Sequence, residues 1–234
     1  MATQHLDLEE QEQLDQIKHF WKQYGNLITW LLIAVLAAYA GWNGFQYWQR
    51  SQASQASALY GEIERLAGEA DPAKLERAFG DMKDRFGSTT YAMQSGLLIA
   101  SSLQAAGKTD QAKTALAWVA DKANDPAYQA IARLRLAAVA AQAKDFTLAM
   151  AQLDATYPPE FAALVADRKG DVLSLQGKSA EARAEYEKAY KGLSDRIEYR
   201  RLVEIKLAAL GADPRPPAAA VTVGQDAVAS EGKK

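Results

Sequence analysis

Between Lys22 and Arg50 the chain carries no Lys, Arg, Asp or Glu, and the centre of that stretch reads LITWLLIAVLAAYAGW (27–42). As a helix, Leu27–Trp48 is about 33 Å long at about 1.5 Å per residue, a match for a hydrocarbon core of about 30 Å. Aromatic residues gather at both ends: Phe20, Trp21 and Tyr24 before it, and Trp42, Phe45, Tyr47 and Trp48 after it. Rings with one dry and one wet edge suit the headgroup level, and Lys22 and Arg50 oppose sliding in either direction. A cleaved signal is the competing reading, because Ala38-Tyr39-Ala40 has the small-x-small form of a cleavage site. The segment ahead of it holds Asp7, Glu9, Glu10, Glu12 and Asp15 against Lys18 and Lys22. A signal peptide instead opens with a short positive region. A buried core helix would show a polar face, and this stretch has none. The expectation is a retained bilayer anchor over 25–49. Lys18 and Lys22 on the near side, against Arg50 on the far side, place residues 1–24 in the cytoplasm and the rest of the chain across the membrane.

Histidine and cysteine narrow the chemistry. The chain has no Cys, and its two His, His5 and His19, both precede the anchor. Disulfides, thiol nucleophiles, zinc-thiolate sites and His-based triads are therefore unavailable to everything that follows. Carboxylate pairs such as Glu62/Glu64 and Glu181/Glu185 stand beside Arg65 or Arg183, the composition of a solvated helix face. The net charge of −2 gives no electrostatic footprint for nucleic acid. No cofactor, metal site or catalytic residue is expected.

After the anchor, breakers recur at Gly68–Pro72, Gly87–Ser88, Gly107-Lys108, Asp125-Pro126, Lys144-Asp145, Pro158-Pro159, Gly177-Lys178 and Gly192–Asp195. They separate amphipathic segments of about 12 to 18 residues rich in strong helix formers. Three of these places align: GKTDQAKTAL (107–116), KDFTLAMAQL (144–153) and GKSAEARAEY (177–186). Each sets an Ala five residues after the stop, at Ala112, Ala149 and Ala182, and a large apolar residue four later, at Leu116, Leu153 and Tyr186. A small residue lies seven before each stop, at Ala100, Ala137 and Gly170. Small positions let the second helix of a pair approach the first, and the bulky residue fills the next turn. The fold expected is all-α: one N-terminal transmembrane helix, then an α-solenoid of antiparallel helix pairs over 50–211. Residues 57–90 read as a divergent pair in front, Ile197–Leu210 as a capping helix, and 212–234 as a flexible tail.

This pattern resembles the tetratricopeptide repeat, best in GDVLSLQGKSAEARAEYEKAY (170–190) with Gly170, Gly177, Ala182, Tyr186 and Ala189. The first two copies depart from it, with Val119 and Thr156 in place of the last small residue. In a stack of such pairs the first helices line an inner face. The register assigns to it Gln94, Leu97, Ser101 and Gln104; Ile131, Leu134, Ala138 and Gln142; and Leu164, Asp167, Asp171 and Ser174. That face is mixed apolar and amide with acid at one end, suited to an extended segment unless the capping helix or the leading divergent pair fills it. The inward Lys and Asn that clamp a partner's terminal carboxylate in other tetratricopeptide domains are absent from these positions. A second candidate surface is the stripe Ala34, Ala37, Gly41 and Gly44, where a neighbouring membrane helix could come close.

The order of parts is similar to that of the YfgM-type family, ancillary subunits of the SecYEG translocon. An acidic N-terminal tail leads into LITWLLIAVLAAYAGWNGFQYWQ, then ALYGEIERL, then SGLLIASSLQAAGKTDQAKTAL. The resemblance, over roughly residues 1–210, implies a non-enzymatic, single-pass inner-membrane protein with a periplasmic repeat domain. It implies partners too: the SecYEG translocon and a membrane-anchored periplasmic chaperone of the prolyl-isomerase type (PpiD-like), to which exported chains would be passed. A general envelope scaffold for cell-wall or division assemblies remains open at this point. A carboxylate-only glycosidase would need Asp167 and Asp171 to face each other across a cleft.

Overall fold

The computed structural model describes residues 8–69 and 71–212; of the expected tail at 212–234 only Ala212 is described, buried in the core beside α9, and the rest lies outside the described residues. Among these residues every regular element is helical: α1 (Leu8–Glu69), α2 (Pro72–Phe86), α3 (Thr90–Ala105), α4 (Thr109–Lys122), α5 (Pro126–Gln142), α6 (Phe146–Leu153), α7 (Ala162–Leu175), α8 (Ser179–Gly192) and α9 (Glu198–Ala209). A 3-10 turn, Pro159–Phe161, leads into α7. The chain divides into two compact units, residues 1–59 and 60–234.

The first unit consists of α1 up to Leu59. Its apolar side chains stand in the open: Leu27, Trp30, Leu31, Leu32, Val35, Leu36, Tyr39 and Trp42 are all exposed. A soluble helix with this much uncovered apolar surface would aggregate, whereas a lipid-facing one needs it. Two of the polar side chains there bond to their own helix. Thr29 Oγ1 donates to the Gly25 carbonyl at 2.8 Å and Asn43 Nδ2 to that of Tyr39 at 3.1 Å, as a segment without water requires. Phe20 stacks near Tyr24, and Phe45 near Trp48, with ring centroids 5.1 and 6.1 Å apart. The expected anchor and the expected first helix of the leading pair are parts of one helix of 62 residues. No Pro occurs before Pro72, and the Gly, Asn and Ser residues along the way are each tolerated singly within a helix.

In the second unit each helix packs on its sequence neighbour from α2 to α9. The first members α3, α5 and α7 also touch in succession. Starts and stops follow local chemistry. Asp71 accepts from Ala73 N and Lys74 N, Asp125 from Ala127 N and Asp145 from Leu148 N, while Pro72 and Pro126 open their helices. The three aligned turns share one geometry: Lys108 N donates to Leu103 O, Asp145 N to Ala140 O and Lys178 N to Leu173 O. This doubled-back cap needs a left-handed residue. Gly107 and Gly177 supply it at φ +73° and +76°. The middle copy uses Lys144 at φ +62°, at a steric cost of about 1 kcal/mol that glycine avoids.

The registered small and large positions form the core. Ala112, Ala149 and Ala182 are fully buried, and Leu116, Leu153 and Tyr186 nearly so. Gly170 is the tightest crossing of α7 and α8: a Cβ built there would lie 2.5 Å from Tyr186 Cδ1 and Cε1. The departure at Val119 has a matching change on α3. Gly96, four residues before Ala100, faces it, and a Cβ on Gly96 would meet Val119 Cγ2 at 2.4 Å. Bulk has moved from one helix of the pair to the other. In the middle copy α6 ends early, at eight residues, and Arg133 Nη1 reaches the Thr156 carbonyl at 3.3 Å. Gly170→Ala is expected to lower unfolding free energy by about 1–3 kcal/mol. The ring it displaces is buried and held at its hydroxyl. Urea melts of the purified chain that overlay those of the parent would refute this tight crossing.

Candidate functional site

The inner face assigned from the repeat register is made by α3, α5 and α7, with α9 laid beside α7. On α3, Leu97 is buried, Gln94 half-buried, and Ser101 and Gln104 exposed. On α5, Ile131, Leu134 and Ala138 are half-buried and Gln142 is exposed. Polar links cross from helix to helix along this face. Gln94 Nε2 donates to Tyr128 Oη at 3.0 Å, and Gln104 Nε2 to Gln142 Oε1 at 2.8 Å. Arg135, which the register did not select, extends from α5 toward the Leu97 carbonyl at 3.5 Å. Its spacing from Ile131, Ala138 and Gln142 (four, three and seven residues) is the signal that could have found it.

The α7 end of the face has a different fate. Leu164 is half-buried and Ser174 exposed, but Asp167 is fully buried. Its carboxylate accepts from Tyr199 Oη at 2.5 Å and from Lys206 Nζ at 2.8 and 2.9 Å, both from α9. Asp171, one turn on, accepts from Tyr186 Oη at 2.8 Å, Lys206 Nζ at 2.6 Å and Arg168 Nη1 at 3.0 Å. Lys206 therefore bridges both acids and carries α9 onto α7. Val203 and Leu207, fully buried, add the apolar part of that contact. Burial, then the hydrogen bond to the neighbouring carboxylate, then its negative charge push the Tyr186 and Tyr199 hydroxyls well above the ordinary tyrosine range. Two carboxylates on one helix, each saturated by cations and phenols, hold no reacting group between them. The capping helix occupies this end of the face.

The second candidate surface belongs to α1. Ala34, Ala37, Gly41 and Gly44 are exposed, and a Cβ on Gly41 or Gly44 would meet nothing within 4 Å. The helix backbone is uncovered along that stripe. Elsewhere, Glu62, Glu64 and Glu181 are solvated, and Glu185 pairs with Lys188 at 2.5 Å. Trp118 packs edge-on to Phe79 in the core. A cleft of about 820 Å3, unforeseen from the sequence, opens where α6 stops short, between Gln129, Arg133, Thr156 and Tyr157.

Comparison with known proteins covers nearly the whole length. A family model described as a tetratricopeptide repeat-like domain matches residues 18–212. The chain is similar to the "Ancillary SecYEG translocon subunit" of Neisseria gonorrhoeae, 32% identical over 204 residues, which span 87% of this chain and 98% of that protein. It is also similar to the protein of the same name from Escherichia coli K12, 26% identical over 185 residues, 78% of this chain and 87% of that one. No solved structure matches the chain.

Proposed function

The chain belongs to the tetratricopeptide repeat-like family of ancillary SecYEG translocon subunits, and from that premise we propose that it is a membrane-anchored interaction subunit working beside the Sec translocon. In this reading residues 25–49 span the inner membrane and 1–24 face the cytoplasm. The solenoid of 50–211 works in the periplasm, with 212–234 beyond it. The stripe Ala34, Ala37, Gly41 and Gly44 meets a membrane helix of the translocon. The inner face meets exported chains or the membrane-anchored chaperone, PpiD-like, that receives them. Its work is contact rather than catalysis.

The observation that carries the reading is the extent of the similarity: the family match runs through the apolar segment as well as the repeats, and the gonococcal protein is matched over almost its full length. The exposed apolar surface of α1 and the bonds of Thr29 and Asn43 to their own helix support a lipid-facing segment. Affinity capture of the full chain from mildly solubilised membranes should recover translocon subunits and a periplasmic chaperone. Changing Ala34, Ala37, Gly41 and Gly44 to Leu should lower translocon recovery about tenfold, the loss of a helix contact of about 1.4 kcal/mol. Wall-synthesis or division proteins in place of the translocon would turn the reading into that of an envelope scaffold.

A further inference from the structure

The sequence shows acids on the inner face, at Asp167 and Asp171, and alone would draw a Lys- or Arg-bearing partner there. The fold removes that attraction. Asp167 is fully buried, and both carboxylates are taken by Lys206 and Arg168 from within the chain, two negative charges against two positive ones. What remains on the open part of the face is Arg135. It is exposed, makes no ion pair among the described residues, and has only a carbonyl at 3.5 Å for a partner. A guanidinium held between two helices with its N–H groups largely unclaimed fits a carboxylate by paired hydrogen bonds.

The surroundings suit an extended backbone. Gln104 and Gln142 use one donor and one acceptor on each other, which leaves the Gln104 carbonyl oxygen and the Gln142 amide nitrogen toward solvent. One acceptor and one donor side by side match the N–H and C=O of a peptide group. Ser101, exposed on α3, adds a hydroxyl between them and Leu97.

Resting on the inner face proposed above, we infer that this face receives an acidic, extended segment of a partner protein, with an internal Asp or Glu carboxylate on Arg135. The capping helix sets this preference. By adding Lys206 to the Arg168 of α7 against these two acids, it leaves Arg135 as the unbalanced charge of the face.

The test uses the full chain in detergent micelles and three labelled peptides of Gly, Ser and Val that differ only in two central residues: Glu, Gln or Lys. Fluorescence anisotropy should show the Glu peptide binding about 5–10-fold more tightly than the other two, the range expected of one partly solvated ion pair with hydrogen bonds. Arg135→Gln should bring the Glu peptide down to the level of the Gln peptide, and a tenfold rise in salt should do nearly the same. Ser101→Trp, which fills the face at an exposed position, should abolish binding of all three. If Ser101→Trp abolishes binding while Arg135→Gln leaves it unchanged, or if the Lys peptide is preferred, the face stands and the charge inference falls. If Ser101→Trp changes nothing, or no peptide binds, the inner-face reading fails and the inference with it.

Discussion

Asp167→Ala lowers the unfolding free energy by about 3 kcal/mol, the lower end of the range for breaking a buried ion pair. Asp167 is fully buried and holds Lys206 and the Tyr199 hydroxyl together. Without it the phenol loses its acceptor inside the protein. The ammonium keeps only Asp171, at 2.6 Å, which is why the loss stays at the lower end. Asp171→Ala should cost less, about 1–2 kcal/mol, since its side chain is partly exposed and Lys206 retains the better buried acid. The order of the two variants is the informative part, and urea melts of the full chain in detergent give it. A combined Asp167→Leu, Tyr199→Phe, Lys206→Met chain should recover most of the loss, because an apolar set of similar volume avoids taking charges out of water. Hydrogen exchange of the α9 amides should rise in Asp167→Ala and return in the combined variant. Equal stability of Asp167→Ala and parent would mean that Asp167 adds nothing to the hold on α9, which then rests on Val203, Leu207 and the remaining Lys206–Asp171 and Arg200–Tyr190 contacts.

The same cluster marks the limit of what the sequence discloses. The small and large positions of the repeat are local, fixed by distance from a turn, and the structure buries all of them. Helix breaks are local too, since Asp71, Asp125 and Asp145 cap whatever follows them. The pairing of Asp167 with Lys206 spans 39 residues and joins a repeat helix to the terminal one, and no periodic rule connects them. Gly96 and Val119 are legible only as a pair: each alone looks like a departure from the repeat, and together they conserve volume. Arg135 is in register with Ile131 and Gln142, but a register that takes Leu134 for the face leaves its chain neighbour out. The continuity of α1 is hidden in the sequence for another reason. Breaking the chain where composition changes, near Arg50, presumes that a change of solvent ends a helix, and hydrogen bonding along the backbone takes no account of it.

Stability should fall steeply as pH rises above about 10, and Tyr186 and Tyr199 should be responsible for much of the slope. Each hydroxyl is buried and donates to a carboxylate, at 2.8 and 2.5 Å. Ionising either would place a phenolate against an acid in a dry site, so both are pushed up from the ordinary value of 10.0. Tyr157, whose hydroxyl donates to the Gln152 carbonyl at 3.1 Å, is raised by burial to about 12. In the unfolded chain these groups lose their protons near pH 10. Between that point and the folded value the native state binds the extra proton, so the stabilisation is complete below pH 10 and drains away above it. The slope is about 1.4 kcal/mol per pH unit for each tyrosine. For Tyr157 the loss ends near pH 12, and for the other two it continues through the accessible range. Groups common to parent and variant contribute equally, so the difference between slopes isolates the phenols. Tyr186→Phe with Tyr199→Phe should be less stable than the parent at neutral pH, yet lose stability less steeply, by about 2 kcal/mol in all, between pH 10 and 11, where the unfolded phenols pass from half to nearly full ionisation. Urea midpoints followed by helical circular dichroism across that interval provide the comparison. Parallel slopes in the two proteins would show that neither hydroxyl stays protonated through the alkaline range, and that the carboxylates beside them are more open to water than their burial implies.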